Sequence, residues 1–267
     1  MAQPVLFVLV PGFGAPHVDK KRQILRNNLS VFARAVANGV FGRVHVRICC
    51  YDGADPVVGD GGDGGDGGGG WQGVDVEAVH ETGIVGGFIR RHGNPGRVAA
   101  DYVCLIWDDI EMDVDDPTDL GAWMRYLRDL RLDIVSPSLS RDSQYQYEYM
   151  RTDPRRPAGV KICPVCEAFC YLMPMEAYAR YWAHVSEDNP WLWGLDLVLR
   201  KHLGLHVGIM NHQVVRHYFK GDGYGARPDA DPVEGFKRAM ERYGERAEDL
   251  AEQPAVMYWV IDVVPAA

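Results

Sequence analysis

The chain has 267 residues, 47% of them hydrophobic and 24% charged, a composition that buries one substantial core and excludes an intrinsically disordered protein. Its 37 acidic against 28 basic residues give a net charge of -9, which repels nucleic acid and anionic membrane and excludes a general role in binding either. The early apolar run 5–10 is too short to span a bilayer and has no basic leader, and the six cysteines lack a disulfide-framework spacing, so the expectation is a soluble, cytoplasmic protein of one domain over 1–267.

Residues 5–10, Val-Leu-Phe-Val-Leu-Val, read as a central parallel strand that ends at Pro11-Gly12. With Asp19 as N-cap, apolar residues at Ile24, Leu25, Leu29, Phe32 and Val36 predict a helix that stops at Asn38-Gly39. Val44, Val46 and Ile48 alternate with His45 and Arg47, a second strand that runs through Cys49-Cys50 into the turn Tyr51-Asp52-Gly53. The segment 59–70 is almost wholly Gly and Asp and predicts a flexible surface loop, because nothing in it can offset the entropy of ordering it. Residues 74–91 read as a helix, weakened by Gly83, Gly86 and Gly87.

A second continuous apolar strand, 102–107, runs straight into Asp108-Asp109-Ile110-Glu111. After Pro117-Thr118, the positions of Leu120, Trp123, Leu127 and Leu130 mark a helix, followed by a short strand at 134–136. The second half predicts a strand at 165–172, a helix at 175–185, a helical run at 197–203, short strands at 207–209 and 214–217, a helix at 232–243 and a strand at 256–264. Strands alternating with helices imply an α/β fold with a mostly parallel central sheet.

In such sheets ligands bind beyond the carboxyl ends of the strands, where Pro11-Gly12, Tyr51-Asp52 and Asp108-Asp109 all fall. Carboxylates crowded there repel one another unless a cation lies between them, and oxygen donors with few protein ligands suit Mg2+ or Mn2+ carrying substrate phosphates. The plain alternative for Asp108 and Asp109 is a helix cap or a solvated turn. His217, at a strand end, can complete a metal shell or contact a phosphate, or be a satisfied core histidine. Asp196, after a Trp-Gly turn, can deprotonate a hydroxyl or cap a helix. Cys163-Pro164-Val165-Cys166 with Cys170 amounts to half a zinc site, and the basic cluster Arg151, Arg155, Arg156 and Lys161 meets either an anionic acceptor or solvent.

Several segments in order resemble a family of uncharacterised, glycosyltransferase-like proteins best known from plants and related to the GT-A glycosyltransferases. They are Tyr51-Asp52-Gly53 with Trp71, the strand 101–109, Ser136-Pro137, Cys166-Glu167, Trp193-Gly194-Leu195-Asp196 and Arg216-His217, spanning roughly 5–218. The resemblance implies a GT-A-like, Rossmann-like domain that takes a nucleoside diphosphate sugar as donor, a glycan or other hydroxyl as acceptor, and a divalent cation, Mn2+ or Mg2+. By that likeness Pro11, Gly12, Tyr51, Asp52 and Asp108 bind the donor, Asp109 and His217 bind the metal with Glu111 as a compensating ligand, and Asp196 is the base of an inverting transfer. Ser136, Glu167, Trp193 and Gly194 fall on the acceptor side.

Two departures stand out. The first Asp of the family's Asp-x-Asp falls on Trp107, which keeps open a catalytically inactive nucleotide- or glycan-binding module of the same fold. Gln144, Tyr145 and Tyr147 stand where the family has a His pair, which implies a different acceptor.

Overall fold

The computed structural model describes residues 2–56, 71–81, 85–114, 116–219, 232–246 and 256–260. In chain order the first half contains β1 (Val5–Phe13), α1 (Val18–Ala37), β2 (Arg43–Cys50), β3 (Val74–His80), α2 (Val85–His92), β4 (Tyr102–Ile106), β5 (Ile110–Glu111), α3 (Leu120–Asp129) and β6 (Ile134–Leu139). The second half contains a 3-10 turn at Glu148–Met150, then β7 (Val160–Cys163), β8 (Cys170–Pro174), α4 (Met175–Trp182), β9 (Val207–His217), α5 (Pro232–Tyr243) and β10 (Tyr258–Val260).

One sheet carries the strands in the order β10-β7-β9-β6-β8-β4-β1-β2-β3, with β5 paired to the end of β9. The block β3-β2-β1-β4 is parallel throughout, β6 and β9 are parallel to each other, and β8 is antiparallel to both β4 and β6. With β7 antiparallel to β9 and to β10, and β5 antiparallel to β9, the pairings among the described residues leave β8, β7 and the two-residue β5 running against the common direction, so the sheet is mostly parallel as expected. Its centre is dry: Leu6, Val8, Leu9, Val103, Leu105, Leu172 and Ile209 are fully buried, which is why β1 and β4 read as unbroken apolar runs. No helix among the described residues is long and apolar enough to cross a membrane.

Several boundaries differ from the sequence-based expectation, each for a local reason. β1 does not end at Pro11-Gly12 but continues to Phe13, because a register shift against β2 between Val10 and Phe13 absorbs the proline, and Gly12 supplies φ 87° at that point. α1 begins at Val18 behind His17, which has a left-handed backbone and no capping side chain, so Asp19 lies inside the first turn instead of capping it. The expected helix over 74–91 is a strand followed by a short helix. In β3, Asp75 and Glu77 reach across the ladder to Arg43 and Arg47 of β2 at 2.6 and 2.7 Å, a pairing that fixes the strand. Gly86 of α2 lies where a Cβ would approach the Ser186 and Asn189 carbonyl oxygens to 2.6 and 2.8 Å, so the glycine serves close packing.

The strand expected over 165–172 begins only at Cys170, as β8; residues 164–169 form a loop, and β7 before it had not been expected. The two short strands near the end are one strand, β9, whose pairing with β6 jumps from Pro137↔Met210 to Ser138↔Val214. The looped-out residues are used: Asn211 exchanges hydrogen bonds with the backbone of Asp153 and Arg156, and Gln213 Oε1 accepts from Asp119 N at 2.8 Å and Trp123 Nε1 at 3.1 Å. The run 197–203 is a chain of turns with three-residue bonds from Leu197 and Val198, not a regular helix. The Gly/Asp segment 59–70 and residues 261–264 of the expected last strand lie outside the described residues; of its first five residues, 258–260 form β10.

Asp119 caps α3, its Oδ1 accepting from Ala122 N at 3.1 Å. Asp119→Ala is expected to lower the unfolding free energy by about 1 kcal/mol in urea titration with an unchanged slope; a midpoint equal to that of the wild type would remove the cap as a contributor.

Candidate active site

The carboxyl end of β4 delivers two adjacent acids into the interior: Asp108 is 3% exposed and Asp109 1%. Trp107, just before them, donates its backbone N–H to Phe169 O and its indole N–H to Ala168 O, which ties the strand end to the 164–169 loop.

Asp108 faces Lys21 from the first turn of α1, Nζ to Oδ2 at 2.7 Å, with both side chains fully buried. Burial pushes the Asp108 carboxyl far above the ordinary range; the Lys21 ammonium opposes this and the Asp109 charge adds to it. Lys21 also donates to Gly14 O at 2.9 Å. One cation therefore ties together the β1–α1 loop, the helix start and the end of β4. Sequence reasoning missed Lys21, although a signal existed: three, four and eight residues before Ile24, Leu25 and Leu29, it lies on the apolar stripe of its helix.

Asp109 meets His217, Oδ2 to Nε2 at 3.2 Å. The two approach because β5 pairs with the end of β9, Ile110 opposite His217, and Tyr218 N donates to Asp109 O. Ser143 Oγ accepts from His217 N at 3.1 Å, and Gln144 N donates to His217 O, so the histidine backbone is held from the other side as well. Burial works to lower the proton affinity of His217, but the hydrogen bond and charge of Asp109, followed by the charges of Glu167 and Asp108, outweigh it and raise the pKa. Oδ1 of Asp108, Oδ1 of Asp109 and Nδ1 of His217 are buried without a hydrogen-bond partner among the described residues. With the imidazole neutral, the converging Asp109 carboxylate and His217 Nε2 fit a divalent cation that takes the place of the proton between them and draws its remaining ligands from water and substrate phosphates. No group of three or more His, Cys, Asp or Glu able to hold a metal occurs among the described residues, so the protein's share of such a shell would be this pair.

Other expected site residues occupy defined places around that centre. Pro11 and Gly12 are buried within β1, and the loop beyond it is 14–17. Asp52 holds that loop, its Oδ2 accepting from Ala15 N at 2.6 Å and its Oδ1 from Ala54 N at 2.9 Å. Burial alone would raise the Asp52 pKa, but these backbone donors bring it below the usual carboxylate value. The Tyr51 hydroxyl donates to Ala15 O, and a Cβ on Gly14 would stand 2.7 Å from the Tyr51 ring, so the loop packs on this turn with no room for a side chain. Glu111 accepts from Asn27 Nδ2 and from the Tyr218 hydroxyl, and Lys20 lies 3.6 Å away. The contacts between α1 and β5 are completed by Asn28, which donates to Ile110 O at 2.7 Å and accepts from Met112 N at 2.9 Å.

Asp196 follows a turn in which Leu192 and Gly194 have φ of 60° and 85°. Gly194 cannot carry a Cβ, which would meet Met240 and Phe236 of α5 at 2.7 and 2.9 Å. Burial first, and then the charge of Glu167, push Asp196 up to about 7, and the Tyr147 hydroxyl donates to its Oδ2 at 3.3 Å. Glu167 acts on both Asp196 and His217 and thereby joins the two halves of the site electrostatically. The ring of Phe169 stacks on His217 with centroids 6.3 Å apart. Ser136 is fully buried in β6 and Trp193 is half exposed.

No protein-family model matches this chain, and no curated protein sequence does. Among solved structures it superposes on the crystal structure of GalNAc-T7 with UDP, GalNAc and Mn2+ at a TM-score of 0.59 and 10% identity, over 90% of this chain and 48% of the other. The fold is GT-A-like. The chain spans about half the length of that GT-A protein, and at this identity the likeness is one of fold. The crystal structure of A197 from STIV aligns at a TM-score of 0.41 and 9% identity, over 81% of this chain and 86% of the other. Within the GT-A-like frame, the acids at the end of β4 and the histidine at the end of β9 stand at the rim where the parallel strands finish.

Lys21→Met would leave the Asp108 carboxyl buried without its cation and is expected to destabilise the protein by about 3 kcal/mol in urea unfolding, with much of the loss recovered in Lys21→Met/Asp108→Leu. Additive losses in the double variant would show that the two side chains are not energetically coupled.

Proposed function

We propose that this chain transfers a sugar from a nucleoside diphosphate sugar to a hydroxyl acceptor, with Asp109 and His217 holding a divalent cation and Asp196 acting as general base. The observation that carries the reading is the meeting of Asp109 and His217 at 3.2 Å, with idle buried acceptor atoms beside them, in a GT-A-like fold. The UDP, GalNAc and Mn2+ in the crystal structure of GalNAc-T7 support the same class of donor and cation for this chain.

A divalent cation bound there would neutralise the charge developing on the leaving diphosphate. The chain's own residues supply the rest. The 14–17 loop, pinned by Lys21, Tyr51 and Asp52, forms the wall on the donor side, with Pro11 and Gly12 setting the path of β1 into it. Asp108, neutralised by Lys21, presents its unpartnered Oδ1 as an acceptor for a donor hydroxyl. In the transfer, the acceptor hydroxyl gives its proton to Asp196 while its oxygen bonds to the anomeric carbon and the bond to the diphosphate oxygen breaks, an inverting displacement. A carboxyl raised to about 7 suits that task, since its proton affinity lies near the working pH.

A second reading, a silent binding module of the same fold, is favoured by one observation: Trp107 is tied to the 164–169 loop and Asp108 to Lys21, which leaves two protein donors for a cation. Thermal-shift and calorimetric titrations with nucleoside diphosphate sugars, with and without Mn2+, separate the two. The transferase reading expects a Mn2+-dependent stabilisation, about 2.7 kcal/mol at a hundredfold excess over Kd, that Asp109→Ala and His217→Ala abolish. Asp196→Asn should keep that stabilisation and lose transfer. Binding with no turnover of any donor by the wild-type chain would favour the module, and turnover retained in Asp109→Ala would sink the metal assignment.

The pH dependence follows from the Asp196 shift. Its protonated form, dominant below about 7, accepts no proton, so kcat should fall about tenfold per unit as pH drops below that value and level off above it. A profile flat from pH 5 to 8 would remove Asp196 as the base.

A further inference from the structure

We infer that Tyr147 is the positioning residue for Asp196: its hydroxyl donates to one carboxylate oxygen and fixes the orientation in which Asp196 meets the acceptor hydroxyl. The inference rests on the assignment of Asp196 as base and adds to it a residue from a segment, 144–149, to which the sequence assigned no catalytic part.

The geometry holds Tyr147 from several directions. Its backbone is extended, at φ -117° and ψ 121°, immediately before the 3-10 turn Glu148–Met150, and Met150, fully buried, donates its N–H back to Tyr147 O at 3.0 Å. The Tyr147 ring stacks on that of Tyr149, centroids 5.5 Å apart and planes 19° from parallel, and the Tyr149 hydroxyl donates to Val165 O at 3.1 Å. With the ring anchored in this way, the hydroxyl lies 3.3 Å from Asp196 Oδ2. Burial foremost, and the Asp196 charge next, raise the Tyr147 pKa, so the phenol keeps its proton through the neutral range and remains a donor.

The same segment supplies an opposing influence. Gln146 N, one residue earlier, donates to Glu167 Oε2 at 3.2 Å, which fixes the carboxylate whose charge acts most strongly on Asp196. Tyr147 favours the charged form of Asp196 and Glu167 disfavours it. The other titratable groups around Asp196 are Cys166, Tyr149, Tyr171 and Tyr181; burial pushes each of them up, so they stay neutral. Burial and the Glu167 charge raise the Asp196 pKa, and the backbone N–H groups of Asp196 and Gly194 lower it together with the Tyr147 hydroxyl; Tyr147 and Glu167, both on the chain between β6 and β8, are the side chains in that balance.

The test needs no substrate. In the full chain labelled with carboxyl-13C aspartate, the Asp196 resonance, assigned by its loss in Asp196→Asn, is followed against pH. Tyr147→Phe keeps the ring and its stacking and should move the Asp196 midpoint upward by roughly half to one pH unit, whereas Glu167→Gln should move it downward by a similar amount. General loosening of the fold does not produce shifts of opposite sign. An unmoved midpoint in Tyr147→Phe overturns the proposal. Once a donor and acceptor are in hand, Tyr147→Phe should lower kcat about tenfold with KM unchanged; an equal rise in KM with kcat intact would overturn a positioning role. Wild-type turnover in Asp196→Asn would instead overturn the base assignment, so the two failures are told apart.

Discussion

The buried pair Lys21–Asp108 is the constraint on which the geometry of the site depends. Two opposite charges removed from water gain little net stability, because their desolvation consumes most of the attraction. What they impose is position, since neither can move without exposing the other to an apolar interior. The helix start, the loop after β1 and the end of β4 meet at these two side chains, and Asp109, one residue on, is aimed by the same anchor. Asp109 in turn meets a histidine brought in from the far half of the chain by a two-residue strand. A weakly stabilising contact thus sets where the candidate site is assembled.

Much of the fold was legible where burial is two-sided or periodic. β1 and β4 announced themselves as unbroken apolar runs, α1 as an apolar stripe with a stop at Asn38-Gly39 and α3 as an apolar stripe, because hydrophobic burial is the main term that fixes each of them. β3 was not legible, since what decides it is a pair of arginine–carboxylate contacts with a strand some thirty residues away, and its glycine-rich neighbourhood obscured the alternation of Val74, Asp75, Val76 and Glu77. β9 was legible in two pieces only. The residues between them carry Asn211 and Gln213, whose polar side chains read as a loop but serve as ties to the backbone of distant segments.

For the site, the acids after β4 and the histidine that ends β9 were singled out from their place at strand ends and from the order of motifs. The contacts that hold them did not. Lys21 resembles a solvated helix residue until its partner is known, and Tyr147 is one tyrosine in a polar stretch until Asp196 is seen beside it. Both lie far in sequence from the groups they serve, and a single sequence carries no trace of such pairings. Asp52 shows the converse: expected beyond a strand end and found there, it spends both carboxylate oxygens on backbone N–H groups and shapes the 14–17 loop.

The crossed charges on β3 also bear on how the molecule lives among its copies. β3 is the terminal strand of the sheet, a place where unpaired backbone groups invite a foreign strand to add itself. Asp75 and Glu77 lie on this margin, half to mostly open to solvent, so a copy docking there in register would set like charges against like. The salt links that define the strand thereby also disfavour the in-register addition of a second copy at this edge.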